Sequence, residues 1–579
     1  MVDTLTRSRA PADSREQITL LWPPGTSRKR QDTPPLAPSV AADLDLGEVA
    51  ELLSGGDRYR ERFVESVLAE LCSDPAVISY RQAVVADLLE DDNLRGRLTK
   101  LLPSLAALGE RRDRDLGKLA PFVQVAARAG ELELHVTTAM QLLDALEHGA
   151  LRSQGLQALR AYLREVTSAT DFHALQEELP ALRRRLDQAQ SFTIGVNLTG
   201  ELVPESAALM SVSADRVEGR GTVLDRLFGS EGSGRGMAPL RLGDAASAGT
   251  PENRLYRDLQ KLLQEIAAPV AEALQRYIAM NAHGLSPLEP ELAFLLNGVA
   301  LLTRLRDAGL PICRPEVAPL HERVAMLTDA YNVTLALQIY RRTAPPPNHP
   351  GGIITNPVSF DDDQARIWIL TGPNRGGKTT YVRAVGLAHV LFQAGLYVPA
   401  SSARMSPVDA IHTHFPVPEA GLLGMGRLDE EAKRLAKIID AATPHSLILL
   451  NEVLAGTSAV EGLGLATDAV RGLRLLGARA IYTTHLHELA FNVEQINAST
   501  PGRAKVGSLI ADVETPDGVV RSGHRRTFRI LPGQPRGISY ASEIAEQHGI
   551  SFAQIAERLQ KRGLVGDQNL DKASPRPGG

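Results

Sequence analysis

Residues Gly372 to Thr379 read GPNRGGKT, a complete G-x-x-x-x-G-K-[ST] match. More than any other stretch, they dictate how the chain around them must fold. A loop of this kind holds phosphate only when a strand delivers it and a helix leaves from it. Glycines let backbone N–H groups turn inward, and the helix N-terminus adds the positive end of its dipole. Both flanks are present: Ile367–Leu370 is a short apolar run, and a helical pattern opens at Thr380. A chance Gly-rich turn would need neither flank. Gly372, Pro373, Asn374, Arg375, Gly376, Gly377, Lys378, Thr379 and Thr380 are therefore candidate phosphate-binding residues. Lys378 would reach the β- and γ-phosphates of ATP, and the Thr379 hydroxyl would face Mg²⁺.

A second apolar strand pattern, Leu447–Leu450, runs straight into Asn451 and Glu452. A carboxylate at the end of a buried strand suits a base that orients and polarises an attacking water, which is the role expected of Glu452. Asn451 would lie in the second shell of the metal. It keeps a carbonyl oxygen as acceptor but lacks the charge an aspartate would bring beside a divalent cation. His485 follows a third strand pattern, Ala480–Tyr482, in AIYTTHLHEL. A lone histidine is often surface or core filler; at this place it is a candidate sensor of the γ-phosphate.

The strands alternate with helical runs at 380–395, 429–442 and 460–476, the sign of βαβ units around a largely parallel sheet. The Pro-rich stretch Arg341–Gly352 marks the start of this region. Before it, from about residue 43, the helical period dominates, as at 83–110, 136–167 and 173–189, and in the Leu255–Ile278 run that Pro269 should kink. Ser191–Pro204 alternates like a strand pair, and 228–253 is a Gly/Ser-rich loop. Residues 1–42 read as a disordered or loosely docked arm whose one apolar patch is Ile18–Pro23; 566–579 read as a disordered tail.

Composition closes several alternatives. No apolar run approaches the roughly 20 residues of a membrane span, and the first residues show no secretory h-region. Cys72 and Cys313 are too few and too distant for a disulfide framework or a zinc site, which fits a reducing, cytoplasmic setting. A net charge of −5 and a pI near 6.3 exclude an overall basic coat and leave only local basic faces. Arg111, Arg112 and Arg114, and Arg183 to Arg185, are two such clusters that could contact phosphates from paired arms; the default reading of each is a solvated helix face. Aromatics make up 4% of the chain, so base stacking has little to work with.

In order, TGPNRGGKTTY, NEVLAGTSAVEGLGLA and TTHLHEL resemble the MutS mismatch-repair ATPases, a branch of the ABC-type ATPases. Tyr397–Phe415 is similar to the stretch that follows the phosphate loop in that family. Gly537–Arg562 is similar to its dimerising helix-turn-helix, and Ile78–Leu89 to the start of its helical core. The resemblance implies an α/β ABC-type P-loop ATPase domain at 346–534, C-terminal to an all-α core and lever domain at 43–345, with a helix-turn-helix dimerisation segment at 535–565. It implies ATP and Mg²⁺ as cofactors and a homodimer joined through the ATPase domain and the C-terminal helices. The partner would be double-stranded or branched DNA, with no membrane. It also implies residue roles. Ile353 and Ile354 would flank the adenine, though they read equally as core strand. Thr457, Ser458 and Glu431 would belong to the trans interface, and His485 would be the switch histidine.

The departures from the family pattern bear on function. Asn451 stands where the family has aspartate. Gly426 stands where it has a serine that reaches the partner's γ-phosphate; the adjacent Arg427 either supplies a cation instead or is a surface arginine. Both changes lead to an expectation of slow turnover with ATP binding retained. The chain reads as a short form without the N-terminal mismatch-recognition domains or an Smr domain. Phe63-Val64-Glu65 matches the Phe-x-Glu wedge in letters but lies inside a helical pattern. Three readings follow: a DNA clamp without a mismatch wedge, a ribosome- or RNA-associated clamp, and a nucleotide-gated scaffold with little hydrolysis.

Overall fold

A computed structural model describes residues 18–26, 35–112, 121–187, 191–198, 200–201, 204–213, 263–265, 267–277, 284–343, 352–416, 427–454, 459–502, 504–514, 525–535 and 552–562. The chain divides into two compact units, Met1–Gly25 with Glu90–Leu292, and Thr26–Leu89 with Ala293–Gly579.

The chain's first helices are α1 (Pro38–Asp43), α2 (Leu46–Ser54), α3 (Arg58–Ala69) and α4 (Pro75–Glu90). Residues 35–42, expected to belong to a loose arm, are folded. Pro38 starts α1, where its missing N–H costs nothing. Val40 is buried, and Leu36 N donates to Ala69 O at 2.7 Å. The Asp57 carboxylate caps α3 by accepting from Tyr59 N and Arg60 N.

The first unit holds α5 (Asp92–Arg112), α6 (Pro121–Glu147), α7 (Gln154–Ser168) and α8 (Thr170–Asp187). The helical period runs through 90–92 and 147–154 without a signal, yet the structure breaks there. Asp91 accepts from Leu94 N and Ser153 from Leu156 N, and each of these side chains caps a new helix. The strand pair is longer than the sequence alternation suggested. Strand β1 (Ser191–Leu198) pairs antiparallel with β2 (Pro204–Ser213), which begins where the expected pair ends. The apolar patch of the arm is docked. Leu20, Leu21 and Trp22 are buried, and the Glu291 carboxylate accepts from Leu20 N at 2.7 Å and from Thr19 Oγ1 at 2.8 Å. Of the Leu255–Ile278 run, residues 263–265 and 267–277 fall within the described residues.

In sequence there follow α9 (Leu288–Asp307), β3 (Glu316–Val317), β4 (Ala325–Ala330), α10 (Val333–Thr343), β5 (Asn356–Phe360), β6 (Ile367–Thr371) and α11 (Lys378–Gln393). Next come β7 (Ser402–Met405), β8 (Ile411–His414), α12 (Arg427–Ala441), β9 (Leu447–Asn451) and α13 (Ala459–Leu476). The described chain closes with β10 (Arg479–Thr483), α14 (His487–Phe491), α15 (Val493–Ser499), β11 (Val506–Glu514), β12 (Arg525–Pro532) and α16 (Phe552–Lys561). One sheet has the order β12-β11-β6-β10-β9-β8, parallel throughout except for the antiparallel edge strand β12. A smaller mixed sheet has the order β3-β7-β4-β5.

Every residue of β6, β9 and β10 is buried, as expected of central parallel strands covered on both faces. On one face, Ile367, Ile369, Ile448, Leu450 and Tyr482 pack with Ala466, Val470 and Leu473 of α13 and with Leu489 and Ile496. Each buried leucine or isoleucine of such a core contributes about 1.5–3 kcal/mol. This core fixes the three adjacent strands rigidly enough for their C-terminal ends to carry a site.

Candidate nucleotide site

Strand β6 delivers the glycine loop and α11 leaves from it. Gly372 has φ 142°, and a β-carbon there would stand 2.7 Å from Ala511 Cβ, so the bend admits no larger residue without strain. Gly377, at φ 92°, is the N-cap of α11. Lys378 opens that helix. It is 4% exposed, and its ammonium donates to Gly372 O at 3.0 Å and to Pro373 O at 3.1 Å. Burial holds its pKa below the usual lysine range, and the nearby Glu452 carboxylate pulls the other way.

The end of β9 faces this loop across β10. Glu452 has φ 53° and Leu454 φ 64°, both left-handed and unfavourable for residues with a β-carbon. Glu452 N donates to Thr483 O and to Thr483 Oγ1, each at 3.1 Å, which holds the turn against β10. The Glu452 carboxylate lies 2.9 Å from His485 Nε2 and 3.7 Å from Lys378 Nζ. The hydrogen bond from His485 is the main reason its pKa sits below the usual glutamate value. The attraction of His485 and Lys378 adds to this, against the opposing effect of burial. Lys378, Glu452 and His485, read separately from the sequence, thus meet at one place.

Asn451 is 4% exposed. Its Oδ1 accepts from Thr483 Oγ1 at 2.7 Å and from Thr379 Oγ1 at 3.3 Å. The amide oxygen, a hydroxyl and the Glu452 carboxylate form a hard-oxygen set. Among the described residues no group of three or more His, Cys, Asp or Glu could hold a metal ion. An oxygen set of this kind suits Mg²⁺, which takes few protein ligands and completes its shell with phosphate oxygens and water. Thr483 was not singled out in the sequence; its only signal is its place at the end of the β10 pattern.

Asn356, at the start of β5, bridges to the other side of the loop. Its Nδ2 donates to Phe528 O at 3.1 Å, and Ile530 N donates to its Oδ1 at 2.6 Å. Phe528 has φ 57°, is 46% exposed, and its ring edge lies 3.5 Å from where a β-carbon of Gly377 would be. In the sequence Phe528 looks like one more apolar position in an edge strand and carries no signal of a site. Just before Asn356, Ile353 is buried and Ile354 is 40% exposed.

Glu431, expected at the trans interface, lies in α12. It is 8% exposed, and its carboxylate accepts from Leu454 N at 2.8 Å within the same chain. Helical phase turns this face of α12 toward the end of β9. Gly426, Thr457 and Ser458 lie outside the described residues, as does the side chain of Arg427. Arg111 and Arg112 end α5, but their side chains, like Arg114 and the loop 228–253, also lie outside them. In α8, Arg183 is 3.6 Å from Glu133, and Arg184 donates to Pro180 O. Phe63-Val64-Glu65 sits inside α3 with Val64 fully buried. No helix among the described residues is long and apolar enough to cross a membrane.

Residues 368–528 match the family profile of MutS domain V, and residues 73–308 match that of the MutS2 N-terminal domain. The DNA mismatch repair protein MutS of Chlorobium limicola is 34% identical over 229 residues, 39% of this chain and 24% of that protein. The DNA mismatch repair protein MutS 2 of Haloarcula marismortui is 26% identical over 558 residues, 89% of this chain and 53% of that protein. The chain belongs to the MutS family. The MutS protein of Azorhizobium caulinodans is also 26% identical, over 89% of this chain and 57% of its own length. The chain thus spans from about a quarter to somewhat over half of the MutS relatives it matches.

Proposed function

We propose that this chain is an ABC-type ATPase of the MutS family, acting as a homodimer that couples ATP hydrolysis to clamping of DNA. The observation that carries this reading is the convergence of Lys378, Thr379, Asn451, Glu452 and His485 at the C-terminal ends of three adjacent strands.

In this reading residues 372–380 wrap the phosphates and Lys378 neutralises the β- and γ-oxygens. Glu452 accepts the proton of the attacking water while a new P–O bond forms at the γ-phosphorus and the bond to the ADP oxygen breaks. Its lowered pKa keeps it ionised at neutral pH, and His485 fixes its orientation. Mg²⁺, held by Thr379 and through Asn451, would add charge stabilisation at the transferred phosphoryl group. Asn451 provides the acceptor without the charge, so turnover is slow while ATP is bound. Ile354 and Phe528 border the place where the base would lie. Gly426, Arg427, Thr457 and Ser458 would face the partner's nucleotide across the dimer, with residues 535–565 as the dimerising segment. Residues 346–534 would form the ATPase body and 43–345 the core and levers. The arm 1–42 would be anchored at 18–22 and 35–42, and 566–579 would be the tail.

The nucleic acid is a duplex that is mismatched, branched or distorted, gripped by shape and phosphate charge. The match of residues 73–308 to the MutS2 N-terminal domain supports a clamp without a mismatch wedge. Steady-state ATP hydrolysis and gel shifts of a four-way junction over a salt series test the reading together. Mg²⁺-dependent hydrolysis and a salt-sensitive junction shift are expected. Binding to ribosomes without junction binding would replace DNA by a ribosome- or RNA-linked clamp. ATP binding without measurable hydrolysis would leave a nucleotide-gated scaffold.

A further inference from the structure

We propose that Asp43 is a positioning residue for the nucleotide site, a strut joining the helix that starts with Lys378 to the helix that holds the Glu452 turn. The inference rests on the ATPase reading above.

Asp43 closes α1. Its Oδ2 accepts from Thr413 Oγ1 at 2.6 Å on β8 and from Arg434 Nη2 at 2.9 Å on α12. Its backbone carbonyl accepts from Arg383 Nε at 2.8 Å on α11. Arg383 also reaches Asp45 Oδ2 at 2.7 Å, and its guanidinium lies 5.8 Å from the Phe415 ring centre. The next residue, Leu44, is fully buried against Gly386 of α11, where a β-carbon would fall 2.5 Å from Leu44 Cδ2. The α1–α2 junction is therefore seated tightly on the phosphate-loop helix. The side chains of Asp43 and Arg434 are 15% and 26% exposed, so this ion pair is shielded from solvent more than a surface pair.

Arg434 follows Glu431 by one turn of α12. Glu431 in turn accepts from Leu454 N, and the left-handed backbone at Glu452 and at Leu454 needs such an anchor to persist. The connection runs from the Asp43–Arg434 ion pair along α12 to Glu431, whose carboxylate holds Leu454 N two residues after Glu452. Removing the Asp43 charge frees α12, loosens the Glu431–Leu454 bond and lets Glu452 drift from His485. The loop that binds the phosphates hangs on β6 and α11 and is unaffected.

The test uses the full chain with Asp43→Asn, Arg434→Met, Glu431→Gln and their pairs. Each single variant is expected to lower kcat by between about tenfold and a hundredfold, as sub-ångström to ångström misplacement of a catalytic group does. Affinity for a fluorescent ATP analogue stays near that of the unmodified chain, while the Tm falls modestly, as loss of one partner of a shielded ion pair requires. The double variants fall no further than the singles, because the three residues act as one unit. Asp43→Glu recovers part of the rate. Hydrogen exchange gives a readout independent of turnover: the Leu454 amide exchanges faster in Asp43→Asn, and amides of β10 do not change. Additive losses, an unchanged rate, or rate, affinity and Tm falling together would overturn the proposal. If the unmodified chain hydrolyses no ATP, the ATPase reading fails, and exchange at Leu454 alone decides the strut: faster supports it, unchanged rejects it.

Discussion

His485 Nε2 stands 2.9 Å from Glu452 Oε1, and this hydrogen bond is the main reason the carboxyl has a lowered pKa. The sign follows directly. A carboxyl whose folded pKa is depressed contributes stability above its unfolded pKa of about 4.3, and that contribution is lost as pH falls through the folded value. Glu452 is thus ionised across the neutral range. In His485→Ala the acid limb of the single-turnover pH–rate profile should move to higher pH, and the rate at neutral pH should drop about 10²-fold. An acid limb that stays in place would show that His485 does not set the state of Glu452.

Asn451 Oδ1 accepts from both Thr483 and Thr379, and an aspartate in the same rotamer could accept the same two bonds. Asn451→Asp should therefore fold unchanged, bind Mg²⁺ about tenfold more tightly and turn over faster. A gain of that size corresponds to about 1.4 kcal/mol. Mg²⁺ titration of the steady-state rate measures both effects; identical titration curves for the two proteins would refute the charge argument.

Gly372 combines a φ of 142° with a close approach to Ala511. Gly372→Ala should cost about 1–3 kcal/mol in chemical denaturation and weaken ATP binding, since the loop can no longer close. Ala511→Gly in the same chain should restore the part due to the clash and leave the part due to backbone strain.

His389 is fully buried in α11, donating to Val385 O, and burial followed by the charge of Arg479 lowers its pKa to about 3. Between that value and an unfolded pKa of about 6.5, the unfolded chain holds more protons, so stability rises with pH over this window. The slope due to His389 approaches 1.4 kcal/mol per pH unit at most. His389→Gln should flatten the Tm–pH curve between pH 4 and 6 relative to the unmodified chain. Parallel curves would mean that His389 holds the same number of protons folded and unfolded, so that its folded pKa is not lowered.

Much of the α/β region was legible because its signals are local. Ile367–Leu370, Leu447–Leu450 and Ala480–Tyr482 are apolar runs, and the structure extends each by one or two residues, to Ile367–Thr371, Leu447–Asn451 and Arg479–Thr483. The helix expected over 460–476 spans Ala459–Leu476. The sheet of β3, β7, β4 and β5 left no comparable trace. Its strands are short and partly exposed; Met326 of β4, for instance, is 44% exposed, so no apolar run marks them. Asp43 was invisible for another reason. Its partners Arg383, Thr413 and Arg434 lie 340, 370 and 391 residues away, and no local spacing encodes such pairings. Glu431 shows a related limit. Its position in α12 was legible, but the partner of its helical face was set by where β9 ends.

In the proposed mechanism Glu452 is the base of a working nucleotide site. Single-turnover hydrolysis of radiolabelled ATP by Glu452→Gln, with ATP affinity measured alongside, tests it most directly. A rate lower by about 10²- to 10⁴-fold with ATP still bound is expected. Hydrolysis by Glu452→Gln at the rate of the unmodified chain would contradict it.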